Sequence, residues 1–133
     1  MYQTQYHIVI VTRFRRKWLN PGIASYTKDL LQGLRKYYPD WEYIETGTDE
    51  DRIHLHMVIP PKYAVAKVVE IMKSKTSFQL KKKFPLFADI YWDKGGIWSI
   101  GYFVSTIGLD EALIRRYVAE QGKEDEGQAQ LDW

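Results

Sequence analysis

The chain contains no cysteine among its 133 residues, and no apolar run approaches the roughly 20 residues that a transmembrane helix requires. The absence of cysteine excludes disulfide scaffolds, zinc ribbons, thiol nucleophiles and iron–sulfur sites. The first residues, Met1-Tyr2-Gln3-Thr4, also lack the basic region of a secretory signal. We therefore expect one soluble, cytoplasmic domain of ordinary composition, 45% hydrophobic and 27% charged.

The chain has little excess of charge of either sign, with 19 Lys and Arg against 17 Asp and Glu, a net charge of +2. A near-neutral total argues at first against binding to nucleic acid, which depends on clustered lysine and arginine. The charges are unevenly distributed, however. The last twelve residues hold one lysine and four acids, a net charge of −3, which leaves residues 1–121 at +5. The total thus conceals a basic body followed by an acidic tail.

Hydrophobic periodicity predicts the element order β-α-β-β-α-β-α. This order is that of an α+β, ferredoxin-like (RRM-like) split βαβ fold: a four-stranded antiparallel sheet with two helices on one face, the other face free, and an additional C-terminal helix. We expect a single domain over 1–122 and a loose acidic tail over 123–133. The predicted elements are strands over 6–13, 41–46, 53–59 and 97–106, and helices that begin at Asn20, Ala64 and Asp110 and end at Pro39, Phe84 and Gly122.

Two histidines, His54 and His56, alternate with apolar residues in the third predicted strand. Strand alternation directs both imidazoles to one face of the sheet, where they could bind one metal ion. The pair alone is also compatible with solvated or hydrogen-bonded histidines. The third histidine, His7, lies in the first strand, and we expect it to be structural.

In the last predicted helix, Tyr117 and Gln121 stand at positions i and i+4 and therefore project from the same face. Separately, each residue has an ordinary explanation: a tyrosine that packs its ring on the sheet and a glutamine that faces solvent. Together with the two histidines they form a coherent set for metal-assisted attack on a phosphodiester.

Five sequence blocks, in this order, resemble those of the single-tyrosine HUH transposases of small bacterial and archaeal insertion sequences, the TnpA-like or IS200-like family. The resemblance implies that Tyr117 is the nucleophile and that His54, His56 and Gln121 are metal ligands. The blocks are YHIVIVTRFRRKWL, HLHMVIPPKY, SKTS, GYFVSTIG and the final Tyr-x-x-x-Gln.

The resemblance further implies a DNA transposase that cleaves and rejoins single-stranded DNA through a 5′-phosphotyrosine intermediate. The metal would be Mg²⁺ or Mn²⁺, although two imidazoles and an amide would also suit zinc or other transition ions. The implied assembly is a homodimer that binds hairpins at the ends of the element, with the tyrosine helix of one subunit completing the active site of the other. Gly108 would allow such a helix to swing, or it is a plain strand terminator.

Two basic clusters favour DNA binding, because interleaved Tyr63, Phe78 and Phe84 could stack on unpaired bases while the cations hold phosphates. An ordinary solvated helix face is the alternative. The competing function is a non-catalytic, single-stranded nucleic-acid-binding module on an RRM-like fold, which would carry aromatic residues where this sheet carries histidines. The candidate DNA contacts are Arg13, Arg15, Arg16 and Lys17 after the first strand, and Lys62, Lys73, Lys75, Lys81 and Lys82 along the second helix.

Overall fold

Four strands form one antiparallel sheet, in the order β2-β3-β1-β4, in the computed structural model of the chain. This order is compatible with the ferredoxin-like plan, and the α+β class is confirmed. The structure describes residues 4–91, 95–106 and 111–131, so the predicted roles of Gly108 and Asp110 lie outside the described residues. The elements are β1 (Gln5–Val11), α1 (Pro21–Gly33), β2 (Glu42–Asp49), β3 (Arg52–Val58), α2 (Val65–Lys83), α3 (Leu86–Ile90), β4 (Phe103–Ser105) and α4 (Glu111–Leu131).

The start of α1 follows the sequence signal closely. The side-chain oxygen of Asn20 accepts a hydrogen bond of 3.0 Å from the backbone N–H of Ile23, and Pro21 is the first helical residue. Strands β2 and β3, both predicted from the sequence, pair in antiparallel orientation. The short helix α3, by contrast, lies in a stretch for which the sequence predicted irregular structure. None of the helices within the described parts of the chain has both the length and the apolarity needed to cross a membrane.

Strand β1 is buried on both faces. Ile8 and Ile10 pack into the main core with the apolar side of β3 and with α1 and α2. Val9 and Val11, on the opposite face, pack against α4 in a second cluster. The prediction that this second face is free was therefore wrong, because α4 covers β1 there through two side chains, Ile114 and Val118.

The fourth strand is shorter than predicted. Ile97 and Trp98 are buried, yet only Trp98 forms an isolated bridge, to Thr12, and regular pairing is confined to Phe103–Ser105. Gly101 interrupts the segment with a φ of 86°, outside the strand region of backbone conformation. The β-prone composition of residues 97–99 therefore reflects burial rather than a regular strand.

The last helix is longer than predicted. Gly122 does not end it, and α4 continues to Leu131, so the expectation of loose structure after Gly122 was wrong. Asp125, within the segment expected to be a tail, is only 3% exposed. The division into a functional domain over 1–122 and a separate tail over 123–133 stays a prediction.

Candidate active site

The alternation of β3 places both predicted metal-binding histidines on one face. Residues 53, 55 and 57 are buried in the main core, whereas His54 and His56 are partly exposed on the opposite face, which is the face that α4 partly covers. Nε2 of His54 lies 3.3 Å from the Asp49 carboxylate and accepts from the Arg52 guanidinium at 3.3 Å. Nε2 of His56 lies 2.9 Å from the side-chain oxygen of Gln5.

A third imidazole, that of His7, lies directly beside this pair. His7 is the register partner of His56, and the two rings stack with centroids 4.2 Å apart and planes inclined by 20°. Burial, followed by the charge of His56, lowers the pKa of His7. The lowered pKa favours the neutral imidazole, and the ring of His7 supports that of His56 by stacking, which is compatible with the structural role predicted for His7.

Tyr117, the candidate nucleophile, projects from α4 toward β4. Its ring lies 5.7 Å from that of Phe103, and its hydroxyl oxygen would lie 3.7 Å from a Cβ atom placed on Gly101. Burial raises the pKa of Tyr117, and two acids on the same helix, Glu124 and Asp125, raise it further. The phenol is therefore protonated at neutral pH in this arrangement, so nucleophilic attack requires a cation or a rearrangement that favours its ionisation.

Gln121 lies one helical turn after Tyr117 and is 7% exposed. Its amide nitrogen donates to the carboxylate of Glu124 at 3.0 Å. Its amide oxygen, Oε1, is buried and has no hydrogen-bond partner within the described structure. An orphaned buried acceptor costs about 1–3 kcal/mol, and a cation is one partner that removes this cost. The amide oxygen of Gln121 is therefore available to bind a cation.

The candidate ligands and the candidate nucleophile lie on the same face of the sheet. The residues that His54 and Tyr117 contact, however, lie on opposite sides of strand β1. The contacts of His54 are toward the β2–β3 turn, whereas those of Tyr117 are toward β4. Over the described residues, no group of three His, Cys, Asp or Glu side chains could hold a metal. A complete site therefore needs the amide of Gln121 to join the two histidines.

Asp125 is a buried residue that the sequence analysis assigned to the tail. Its carboxylate accepts from the backbone N–H of Phe14 at 2.8 Å and from the hydroxyl of Ser99 at 2.5 Å. A signal for this burial was present, because the spacing of Ile114, Val118, Gln121 and Asp125 continues one helical face past Gly122. The glycine was interpreted as a helix stop, which concealed this continuation.

The basic residues after β1 differ in exposure and in the contacts that they make within the protein. Arg13 is 8% exposed, and its guanidinium packs so tightly on Gly95 that a side chain there would clash. Arg15 forms an ion pair of 3.5 Å with Asp51 and covers Gly122. Arg16 and Lys17 are exposed.

The basic residues of the second cluster lie at and along α2, on the sheet face opposite the histidines. Lys62 pairs with Asp40 at 2.9 Å, and Lys81 donates to the carbonyl of Gly95 at 3.1 Å. Lys82 is exposed, Lys75 is partly exposed, and the half-buried Lys73 donates to two backbone carbonyls.

Comparison with known proteins gives matches over nearly the whole chain. A sequence model of the family described as "Transposase IS200 like" matches residues 1–121. The transposase for insertion sequence element IS200 of Salmonella typhimurium is 29% identical over 127 residues, which are 96% of this chain and 82% of that protein. The ISDra2 transposase TnpA of Deinococcus radiodurans is 24% identical over 122 residues, 91% of this chain and 86% of that protein.

Two solved structures share the fold. One is a Deinococcus radiodurans R1 protein described as a candidate transposase, with a TM-score of 0.78, 23% identity and coverage of 91% of this chain and 92% of that chain. The other is a REP-associated tyrosine transposase bound to a REP hairpin, with a TM-score of 0.58, 12% identity and coverage of 89% and 66%. The match of the family over residues 1–121 identifies the chain as a DNA transposase that belongs to the IS200-like transposase family.

Proposed function

We propose that this transposase cleaves and rejoins single-stranded DNA at the ends of an insertion sequence, with Tyr117 as the nucleophile and a divalent metal, Mg²⁺ or Mn²⁺, held by His54, His56 and Gln121. The observation that carries the proposal is the buried and unpartnered amide oxygen of Gln121, one helical turn from a tyrosine and on the sheet face that bears both histidines.

The phenol oxygen of Tyr117 attacks the scissile phosphorus. A bond forms between that oxygen and phosphorus, and the bond from phosphorus to the 3′ oxygen breaks. The phenol gives up its proton and the departing 3′ oxygen gains one, so the products are a 5′-phosphotyrosine and a free 3′-hydroxyl. Attack by another 3′-hydroxyl on the phosphotyrosine rejoins strands and releases the tyrosine, with no requirement for ATP.

The three ligand side chains differ in how they are prepared for a cation. Nε2 of His54 accepts a hydrogen bond from Arg52, which a cation at that atom would have to displace, and His56 is held by stacking on His7. Gln121 contributes its amide oxygen while its amide nitrogen is retained by Glu124. A divalent ion bound by these groups would polarise the scissile phosphate and stabilise the charge that develops on it.

The DNA contacts that we propose are the exposed and partly exposed cations of the two basic clusters, among them Arg16, Lys75 and Lys82. Phe78 is 64% exposed among the lysines of α2 and offers a stacking surface. Arg13 and Lys73 are assigned instead to holding the protein together, because the first is buried and the second is bound to backbone carbonyls.

We further propose a homodimer that binds hairpins at the element ends and acts in the cytoplasm, where its DNA substrate lies. A hairpin is the ligand of the REP-associated structural neighbour. Because α4 packs on β1 of its own chain, completion of each active site by the tyrosine helix of the other subunit would require the two subunits to exchange α4.

The test is covalent capture of DNA. The protein is incubated with Mg²⁺ or Mn²⁺ and with single-stranded DNA that carries hairpins, and a conjugate that survives denaturation is sought. We expect a conjugate for the unaltered chain and for Tyr37→Phe, which removes an exposed hydroxyl, and none for Tyr117→Phe. Metal-independent binding without any conjugate would instead favour a non-catalytic nucleic-acid-binding module.

A further inference from the structure

The ammonium group of Lys73, on α2, contacts two backbone carbonyls. Its Nζ donates to the carbonyl oxygen of Ser99 at 2.7 Å and to that of Gly101 at 2.5 Å. Burial lowers the pKa of Lys73 to about 8, with Asp125 acting in the opposite direction. A lysine that binds two carbonyls and is half-buried is poorly placed to neutralise a DNA phosphate.

The two carbonyls belong to the segment that interrupts the predicted fourth strand. Gly101 has a φ of 86°, so residues 99–101 leave the strand conformation before β4 begins. The carbonyls that Lys73 binds lie in the stretch that joins the isolated bridge of Trp98 to the start of β4. The ammonium group of Lys73 thus supplies to these carbonyls the hydrogen-bond donors that the backbone of a neighbouring strand supplies elsewhere in the sheet.

The same segment contacts α4. The hydroxyl of Ser99 donates to the carboxylate of Asp125, and the Tyr117 hydroxyl lies against Gly101. Residues 99–101 therefore lie between Lys73 of α2 and two residues of α4, one of which is the proposed nucleophile.

We propose that Lys73 is a positioning residue for Tyr117: its ammonium fixes the backbone of residues 99–101, and this backbone fixes the face of α4 that carries the phenol. The inference rests on the proposed role of Tyr117 as nucleophile. In this inference Lys73 affects the position of the reacting phenol, whereas the exposed Lys82 on the same helix contributes to the affinity for DNA.

The first test is amide hydrogen exchange on the free protein, which requires no activity. Lys73→Met removes the donors with little change in length, and Lys82→Met is the matched control on the same helix. We expect exchange in residues 99–106 and 111–126 to accelerate by about tenfold or more in Lys73→Met alone, with β1 and β3 unchanged. Lys73→Arg, which retains charge and donors, gives intermediate protection and serves if Lys73→Met does not fold.

The second test separates rate from affinity with hairpin-bearing single-stranded DNA. Lys73→Met should slow conjugate formation at saturating DNA by about tenfold or more, with the Kd within about twofold, because a displaced nucleophile loses rate rather than binding. Lys82→Met should weaken binding and reduce the salt dependence by about one phosphate contact.

Unchanged exchange in Lys73→Met would overturn the inference. A decrease in conjugate formation that follows a decrease in DNA affinity, as expected for Lys82→Met, would also overturn the inference. An unchanged or higher rate of conjugate formation in Lys73→Met would do the same. The two proposals fail separately. If the unaltered protein forms no conjugate, the nucleophile assignment is wrong and Lys73 is no positioning residue for catalysis, whatever the exchange data show of the segment it holds.

Discussion

Ser99 and Asp125, 26 residues apart in the chain, are joined by a buried hydrogen bond of 2.5 Å. The carboxylate of Asp125 also accepts from the backbone N–H of Phe14, a residue with an unfavourable φ of 60°. One side chain of α4 thus holds both the turn after β1 and the segment before β4. The helix that carries Tyr117 is fastened to the body at a point beyond residue 121, where the family match ends.

Replacement of this carboxylate should destabilise the protein. Asp125→Ala leaves the Phe14 N–H without its partner and removes one of the two acceptors of the Ser99 hydroxyl, which also contacts the Thr12 carbonyl. We expect the free energy of unfolding to fall by about 1–3 kcal/mol. Glu126→Ala, an exposed neighbour on the same helix, should change it by less than about 0.5 kcal/mol. Urea unfolding of both variants measures the difference, and equal stabilities would refute a docked α4.

Two glycine substitutions should act in opposite directions. Gly101→Ala forces a side chain into a φ of 86° and toward the Tyr117 hydroxyl, so we expect a loss of about 1–2 kcal/mol. Gly33→Ala lies in α1, where a Cβ meets nothing within 4 Å, and should stabilise by about 0.4–1 kcal/mol. Thermal and urea unfolding distinguish the two, and a neutral Gly101→Ala would be inconsistent with this turn.

Alkaline pH should weaken the fold. Burial raises the pKa values of Tyr43, Tyr91 and Tyr117. The unfolded chain ionises these phenols near pH ~10, whereas the folded chain keeps them protonated. Their contribution to stability is therefore complete below pH ~10 and is lost as the pH rises above it.

Urea unfolding at a series of pH values measures this loss. Tyr43→Phe removes one of the three buried phenols and should make the decline above pH ~10 less steep, whereas Tyr37→Phe, at an exposed position, should leave the slope unchanged. A free energy of unfolding that stays level across this range would contradict the buried, protonated state of the phenols.

Metal binding should appear as stabilisation that depends on Gln121. At a Mn²⁺ concentration 100 times Kd, a ligand that binds only the folded state adds about 2.7 kcal/mol. We expect Mn²⁺ to raise the Tm of the unaltered chain and of Gln32→Met, a substitution on the exposed side of α1, but not that of Gln121→Met or His54→Ala. An equal rise in Tm in all four proteins would show that Mn²⁺ binds at a site that does not include His54 and Gln121.

The sequence predicted the elements in which local pattern and tertiary packing agree. The alternation around His54 and His56 and the Asn20 cap of α1 are local signals, and both are confirmed. The four-stranded antiparallel sheet is compatible with the ferredoxin-like plan that the order of elements predicts. The placement of each ligand candidate on its element could therefore be predicted, although their mutual distances could not.

The misses arise where tertiary contacts override local signals. Gly122 has the sequence signal of a helix end. The hydrogen bond that Asp125 accepts from Phe14 and the packing of Arg15 over Gly122 nevertheless stabilise the helix beyond this residue. The β-prone residues 97–99 are buried without forming a regular strand, and the backbone of Gly101 interrupts the segment before β4. The unbroken apolar run from Ile8 to Val11 did carry a signal that both faces of β1 are covered, since a half-exposed strand alternates apolar and polar residues.

The central claim is that Tyr117 forms the covalent bond to DNA, and peptide mass spectrometry of the conjugate tests it most directly. After reaction with hairpin-bearing single-stranded DNA and Mg²⁺ or Mn²⁺, digestion with nuclease and protease should yield the peptide of Tyr117 with a 5′-phosphonucleotide on its phenol. The DNA product should carry a free 3′-hydroxyl. A phosphonucleotide on any other residue, or cleavage without an adduct, would contradict the account.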